Sequence, residues 1–210
     1  MSTLIKRSSK VSNFAIPIFG LTLLALFLVP STLDMSYQVK FVDLFVLIII
    51  ATMWNLLAGF GGLVSVGQQA FIGIGAYALV AFTNLRGLGV IPGLILAALF
   101  TGLLAIPLSF LVFRLKGGYF AIGTWVIAEI IKLIVVQFQS LGGGAGISVA
   151  VFADIERESR IRFVYLAALV VAIVILVSTF LLMRSRLGLA LTAIRADATA
   201  AGTLGVNVTA

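Results

Sequence analysis

Long apolar runs alternate with short polar breaks along this chain. Val11 to Leu33 carries no charged residue, nor do Leu44 to Leu85, Gly93 to Phe113 and Phe163 to Met183. Tyr119 to Gln139 is interrupted only by Glu129 and Lys132. The runs are continuous rather than alternating, which predicts helices and argues against a spanning β-barrel. About 20 apolar residues cross a bilayer as a helix, and the stretch from 44 to 85 is far too long for one crossing. Its centre reads Ala58-Gly59-Phe60-Gly61-Gly62-Leu63-Val64-Ser65-Val66-Gly67. Each glycine disfavours a helix by roughly 1 kcal/mol, so the pattern predicts two spans, 41–58 and 68–85, joined by a glycine-rich break. The expected fold is an all-α integral membrane protein with six transmembrane helices, at 11–33, 41–58, 68–85, 93–113, 119–139 and 163–183. Pro17 is expected in the first turn of its helix, where proline is tolerated. Pro107 is expected to kink the fourth span.

Composition supports lipid as the solvent. The chain is 62% hydrophobic and 10% charged, with a mean hydropathy of +1.25, whereas soluble domains average about 25% charged residues. A small domain cannot bury so much apolar surface. The net charge is +7, but the basic residues cluster between apolar runs without interleaved aromatics, which excludes a nucleic-acid surface and fits positive cytoplasmic loops. There is no cysteine and no histidine. That removes disulfides, Cys/His metal sites and histidine-based catalysis, and no cofactor is implied.

Charge also predicts orientation. Lys6, Arg7, Lys10, Arg114, Lys116, Arg184, Arg186 and Arg195 fall on one side of a six-span layout, with Asp197. Lys40, Arg86, Arg157, Arg160 and Arg162 fall on the other, with Asp34, Asp43, Asp154, Glu156 and Glu158. The richer basic side is cytoplasmic, so the N-terminus is expected inside. A cleaved signal peptide is the alternative for the first run, although Val29-Pro30-Ser31 is a poor cleavage site.

Four segments carry further information. The break places Asn55, Ser65, Gln68 and Gln69 within or beside the bilayer. Unwound backbone at that depth is tolerated only where protein buries it or it lines a wet cavity. It therefore reads as a broken helix on a translocation pathway, or as glycine-mediated packing with amides between helices. Ala70, Gly73 and Ala76 are expected to let another helix approach. Glu129 and Lys132 share a helix face. Glu129 reads as a pathway or gating residue, as half of a structural ion pair, or as a neutral acid bonded to a neighbouring helix. Leu141-Gly142-Gly143-Gly144-Ala145-Gly146 lacks the Gly-Lys-Ser/Thr ending of a phosphate loop and is expected to be an external loop. The charged run from Asp154 to Arg160 that follows is expected to be solvated. From Arg184 to Asn207 the chain is alanine-rich and too polar to cross. A short cytoplasmic helix is expected there, with Leu187, Leu191, Ile194 and Leu204 as its apolar stripe, either lying on lipid or docking to a soluble partner.

Three of these stretches carry a resemblance. They are Trp54 to Tyr77, with Asn-Leu-Leu-Ala-Gly, Ser-Val-Gly-Gln-Gln-Ala-Phe and Gly-Ile-Gly-Ala-Tyr; Arg114 to Thr124 running on to Ile131; and Ser185-Arg186-Leu187-Gly188 to Leu204-Gly205-Val206-Asn207. In order and spacing the chain resembles the permease subunits of bacterial branched-chain amino-acid ABC importers, of the LivM type. The resemblance implies a bacterial inner-membrane protein that works with a sister permease, two cytoplasmic ATPases and a periplasmic substrate-binding protein, hydrolysing no ATP itself. It implies a single permease domain over 1–210, with residues 184–208 as a cytoplasmic coupling segment. In that segment Arg195, Ala196, Asp197, Ala200, Ala201, Leu204 and Gly205 are expected to meet the ATPase. Asn55, Ser65, Gln68, Gln69, Tyr77 and Glu129 are the candidates for the translocation pathway. Gln68-Gln69 stands where many relatives have Gly-His, so a histidine function there is absent. Relatives continue from the coupling segment into further helices, so the chain is expected to be incomplete at its C-terminus.

Two other function classes are weighed. A secondary transporter or channel driven by an ion gradient also uses broken helices, but the chain has a single intramembrane acid, Glu129, and no inverted repeat. A membrane enzyme would need acid–base or nucleophile partners, and no such constellation is present.

Overall fold

A computed structural model describes residues 10–153 and 155–196. Seven α-helices follow one another: α1 (Lys10–Thr32), α2 (Met35–Asn55), α3 (Gln68–Val80), α4 (Val90–Val112), α5 (Gly118–Val136), α6 (Arg157–Arg184) and α7 (Arg186–Ala196). No strand occurs among the described residues. The protein is a multi-span helical membrane protein. Among the described residues four helical runs are long and apolar enough to cross by themselves, namely Met35–Phe60, Val90–Val112, Gly118–Val136 and Arg157–Arg184, and a shorter apolar helix covers Gly20–Thr32. Their outer faces carry large apolar side chains, such as Leu99, Leu103, Ile106 and Phe110 along α4. That is how a chain looks when its exterior solvent is hydrocarbon.

One end of the bundle is organised around α6. Tyr165 is 0% exposed. Its ring meets Phe45 edge-on at 5.5 Å and Phe41 at 6.3 Å, and its hydroxyl donates to the Leu26 carbonyl at 2.8 Å. Val29 of α1, Phe45 of α2, and Leu169 and Ala172 of α6 complete this core. The second group is α3 with α4 and α5. Its buried stripe on α3 is Ala70, Ile74 and Ala78, at spacing four. The small-residue stripe expected at Ala70, Gly73 and Ala76 is therefore corrected. A turn of 3.6 residues rotates spacing-three positions off the contact line, leaving Gly73 in open space and Ala76 exposed.

One further expectation changes, at Pro17. Helix α1 is already formed at Lys10, so Pro17 lies inside it rather than in its first turn. Without water to take its carbonyls, the backbone stays helical through the proline. Helix α6 begins at Arg157, so the second half of the charge run is helical while it stays largely exposed as expected, with Glu158 and Arg162 paired at 2.9 Å. At about 1.5 Å per residue its 28 residues outreach a hydrocarbon core of about 30 Å, and the charged turns project beyond it. The glycine-rich loop is bent by Gly142, Gly143, Gly144 and Gly146, all at positive φ. The side chain of Asn84 holds it down, donating to the Ser148 carbonyl at 2.9 Å and accepting the Ala150 N–H at 2.8 Å.

Interhelical hydrogen bonds inside a membrane contribute about 0.6 kcal/mol, with the strongest near 1.7. Tyr165→Phe should therefore lower stability within that range, whereas Tyr165→Ala, which empties the aromatic core, should cost about 3–5 kcal/mol. Unfolding of the purified protein in bicelles measures both. An equal loss in the two variants would contradict a core that rests mainly on ring packing.

Candidate functional site: the re-entrant break and the α3–α5 cavity

The predicted break is present, and its second half is non-helical. Helix α2 ends in a π-helical turn, Leu56–Phe60. Gly62, at φ +71°, turns the chain back in a conformation that costs glycine little. Residues 63–67 then run without regular secondary structure alongside α2, until α3 starts at Gln68. The Trp54 Nε1–H donates to the Ser65 carbonyl at 3.1 Å, the Val66 N–H donates to Thr124 Oγ1 at 3.1 Å, and the Gly67 N–H donates to Ser65 Oγ at 3.2 Å. Gly67 lies against α5 so closely that a Cβ would stand 2.7 Å from the Thr124 carbonyl oxygen. Thr124 is six residues into α5, so α3 begins about 9 Å deep relative to the start of α5, at 1.5 Å per residue. The segment is re-entrant.

Gln69, Tyr77 and Glu129 are brought together. With Gly73 and Lys132 they line a cavity of about 330 Å³ between α3 and α5. The Lys132 ammonium donates to Glu129 Oε1 at 2.8 Å. The pair lies past the middle of α5, with side chains 67% and 51% exposed for Lys132 and Glu129, facing away from this chain's own core. Tyr77 also borders a larger cavity of about 450 Å³ with an almost wholly apolar lining, including Phe100 and Leu104 of α4 and Ile131 of α5. Ser65 is buried in the re-entrant segment on a third cavity, of about 210 Å³. Gln68 stands beside it, with its Nε2 buried and unpartnered. Asn55 lies in none of these cavities. Its carboxamide is folded against Gly59, leaving no room for a Cβ there.

Sequence reasoning missed three participants. Thr124, a lone hydroxyl in an apolar run, accepts the hydrogen bond that holds the re-entrant backbone. Trp54 marks the break through its indole N–H, and Lys132 lines the cavity as well as pairing. The glycines of the other recurrent stretches have local reasons. Gly117 has φ +56° where the chain enters α5, and Gly123 has no room for a Cβ because Leu115 packs on it. At the α6–α7 junction, Ser185 Oγ accepts the Leu187 N–H at 3.2 Å, and a Cβ on Gly188 would come within 2.6 Å of Met183 Cα.

The segment expected after the last span is helical, as α7. It packs on α6 and on the π-helical turn, so the end of α2 and the end of α6 share one end of the bundle. Its packed side centres on buried Gly188, while Leu187 and Leu189 are 63% and 69% exposed. Of the expected stripe, Leu187 is exposed, and Leu191 and Ile194 are half-buried. Arg195 donates from Nη1 to the Gly59 carbonyl, and Ala196 closes the helix. Asp197, Ala200, Ala201, Leu204 and Gly205 lie outside the described residues.

Residues 40–210 match the family model described as the branched-chain amino acid transport system permease component. The chain belongs to that permease family. It is 31% identical over 188 aligned positions to the high-affinity branched-chain amino acid transport system permease protein LivM of Salmonella typhimurium, covering 77% of this chain and 44% of that protein. It is 30% identical over 186 positions to LivM of Escherichia coli, covering 76% and 44%. The chain thus spans less than half the length of these curated relatives. No solved structure matches it significantly. Members of this permease family are transport components rather than enzymes, and the helices described above make this one a multi-pass membrane protein.

The glycines separate by what surrounds them. Gly67→Ala, facing α5 backbone, should destabilise the family's helix bundle here by about 1–3 kcal/mol through overpacking. Gly73→Ala, which meets nothing within 4 Å, should be neutral or gain up to about 1 kcal/mol from helix propensity. Thermal unfolding in detergent compares the two, and the reverse order would contradict the packing of the re-entrant segment.

Proposed function

We propose that this chain is the inner-membrane permease part of an ATP-driven importer for branched-chain or related amino acids, with its N-terminus in the cytoplasm. Membership of the permease family over residues 40–210 carries this, and the geometry supplies the physics. A charged pair exposed at mid-span is costly against lipid, so intramembrane charges face protein or water. The Glu129–Lys132 face therefore lines a path completed by a sister permease. Gln69, Tyr77 and Glu129 offer polar contacts on one side of Tyr77, and the apolar cavity on its other side suits an aliphatic side chain. Asn55, Ser65 and Gln68 act by shaping the break rather than by lining that cavity.

At the other end, α7 and the residues after it form the coupling segment of the permease. Arg195, Ala196, Asp197, Ala200, Ala201, Leu204 and Gly205 are assigned to the surface offered to two cytoplasmic ATPases. Leu187 and Leu189, apolar and exposed, extend it. A periplasmic binding protein delivers substrate to the opposite end, where Asn84 fixes the glycine-rich loop. ATP-driven closure of the ATPases re-tilts the bundle, and this requires that the α7 contact differ between states.

Leucine uptake by cells carrying the complete transporter tests this. ATP depletion should stop uptake and a protonophore should not, and the opposite pattern would establish an ion-driven carrier instead. The pair Leu187→Asp and Leu189→Asp places charges in the proposed ATPase contact. It should lower uptake about tenfold or more, at 1.4 kcal/mol per factor of ten, with the permease still present in the membrane. Unchanged uptake would remove α7 from the coupling surface.

A further inference from the structure

We propose that Arg195 is a positioning residue that links α7 to the re-entrant segment, so that displacement of α7 moves the start of α3. The proposal rests on the permease reading above and adds the physical link within the chain. Arg195 makes two contacts on the point where the π-helical turn gives way to irregular backbone. Its guanidinium donates to the Gly59 carbonyl, one of the last carbonyls of a helical run, which lack intrahelical donors and carry the negative end of the dipole. Its aliphatic stem lies on Gly62, where a Cβ would be 3.0 Å from Arg195 Cγ and 3.5 Å from Arg195 Cβ. Positive φ and the stem together keep position 62 bare.

Little slack separates Gly62 from α3. Ser65 is held to Trp54, Val66 to Thr124, and Gly67 packs on α5 backbone. A push at Gly62 is therefore passed on rather than absorbed. The cavity of about 210 Å³ lies beside the segment, between Ser65, Gly67 and Ala70 on one side and Ser109 and Phe113 on the other, and it gives the segment room to move. Helix α3 carries Gln69, Gly73 and Tyr77, so the same movement reshapes the α3–α5 cavity.

The natural absence of cysteine makes the test direct. The 3.5 Å separation at positions 62 and 195 falls at the edge of the disulfide range of about 3.5–4.5 Å between Cβ atoms. The double variant Gly62→Cys, Arg195→Cys is placed in the complete transporter in native membrane vesicles. Crosslinking by copper phenanthroline is timed without nucleotide and after trapping with ATP and vanadate. The disulfide should form in the resting state, at a rate that changes several-fold on trapping, and it should abolish uptake until reductant is added. Separately, Arg195→Ala should lose most uptake, and Arg195→Lys, which keeps a cationic donor, should recover part of it. No crosslink in either state overturns the contact. Equal rates in both states, with uptake indifferent to the crosslink, overturn the link. Uptake that ignores ATP but stops on crosslinking overturns the ATPase reading and supports the link.

Discussion

Hydrocarbon does not solvate a peptide group, and the rest of this structure follows from that constraint. Where the chain is helical the requirement is met internally. Where the chain leaves the helix at membrane depth, between Gly61 and Gly67, each departure needs a partner. Trp54, Thr124 and Ser65 supply three of them, across α2, α5 and the segment itself. Bare glycines at 62 and 67 allow the backbone to turn and to lie against α5. The break is thus held by side chains from both groups of helices, and it joins the α1–α2–α6 unit to the α3–α4–α5 unit.

That position gives the break its mechanical interest. Upstream it continues the helix whose Phe41 and Phe45 enclose Tyr165. Downstream it sets the start of α3, which borders both larger cavities. At one end of the bundle α7 rests on it. At the other end, Asn84 ties the last turn of the α3 run to the glycine-rich loop. One short helix, α3, is therefore held at both ends by non-helical contacts, while α4 and α5 flank it along its length. In a permease, a helix held in this way can shift as a unit without the bundle losing its core.

Much of the fold was legible in the sequence because lipid enforces length and hydropathy so strictly. The six runs became six helices, and α3 starts at the Gln68 that the glycine pattern marked. The polar cluster of the α3–α5 cavity was legible in part. Gln69, Tyr77 and Glu129 converge because α3 and α5 pack side by side, and their polarity stands out against apolar runs. What the sequence did not reveal depends on which face of a helix turns inward. The periodicity of α3 is nearly uniform in apolar character, so Ala70, Gly73 and Ala76 looked equivalent, and only packing separates Ala70 from the other two. Likewise, nothing local to Arg195 announces that its side chain reaches Gly59, well over a hundred residues away, and Thr124 carries no mark beyond being a hydroxyl in an apolar run.

The central claim is that residues 63–67 form a protected, re-entrant non-helical segment rather than an exposed loop. Amide hydrogen exchange of the protein in lipid nanodiscs, read by mass spectrometry, addresses it without any substitution. The N–H groups of Val66 and Gly67, bonded to Thr124 and Ser65, should exchange slowly, at rates nearer those of the flanking helices than those of the glycine-rich loop around Gly144. Exchange of both amides as fast as that loop would contradict the account.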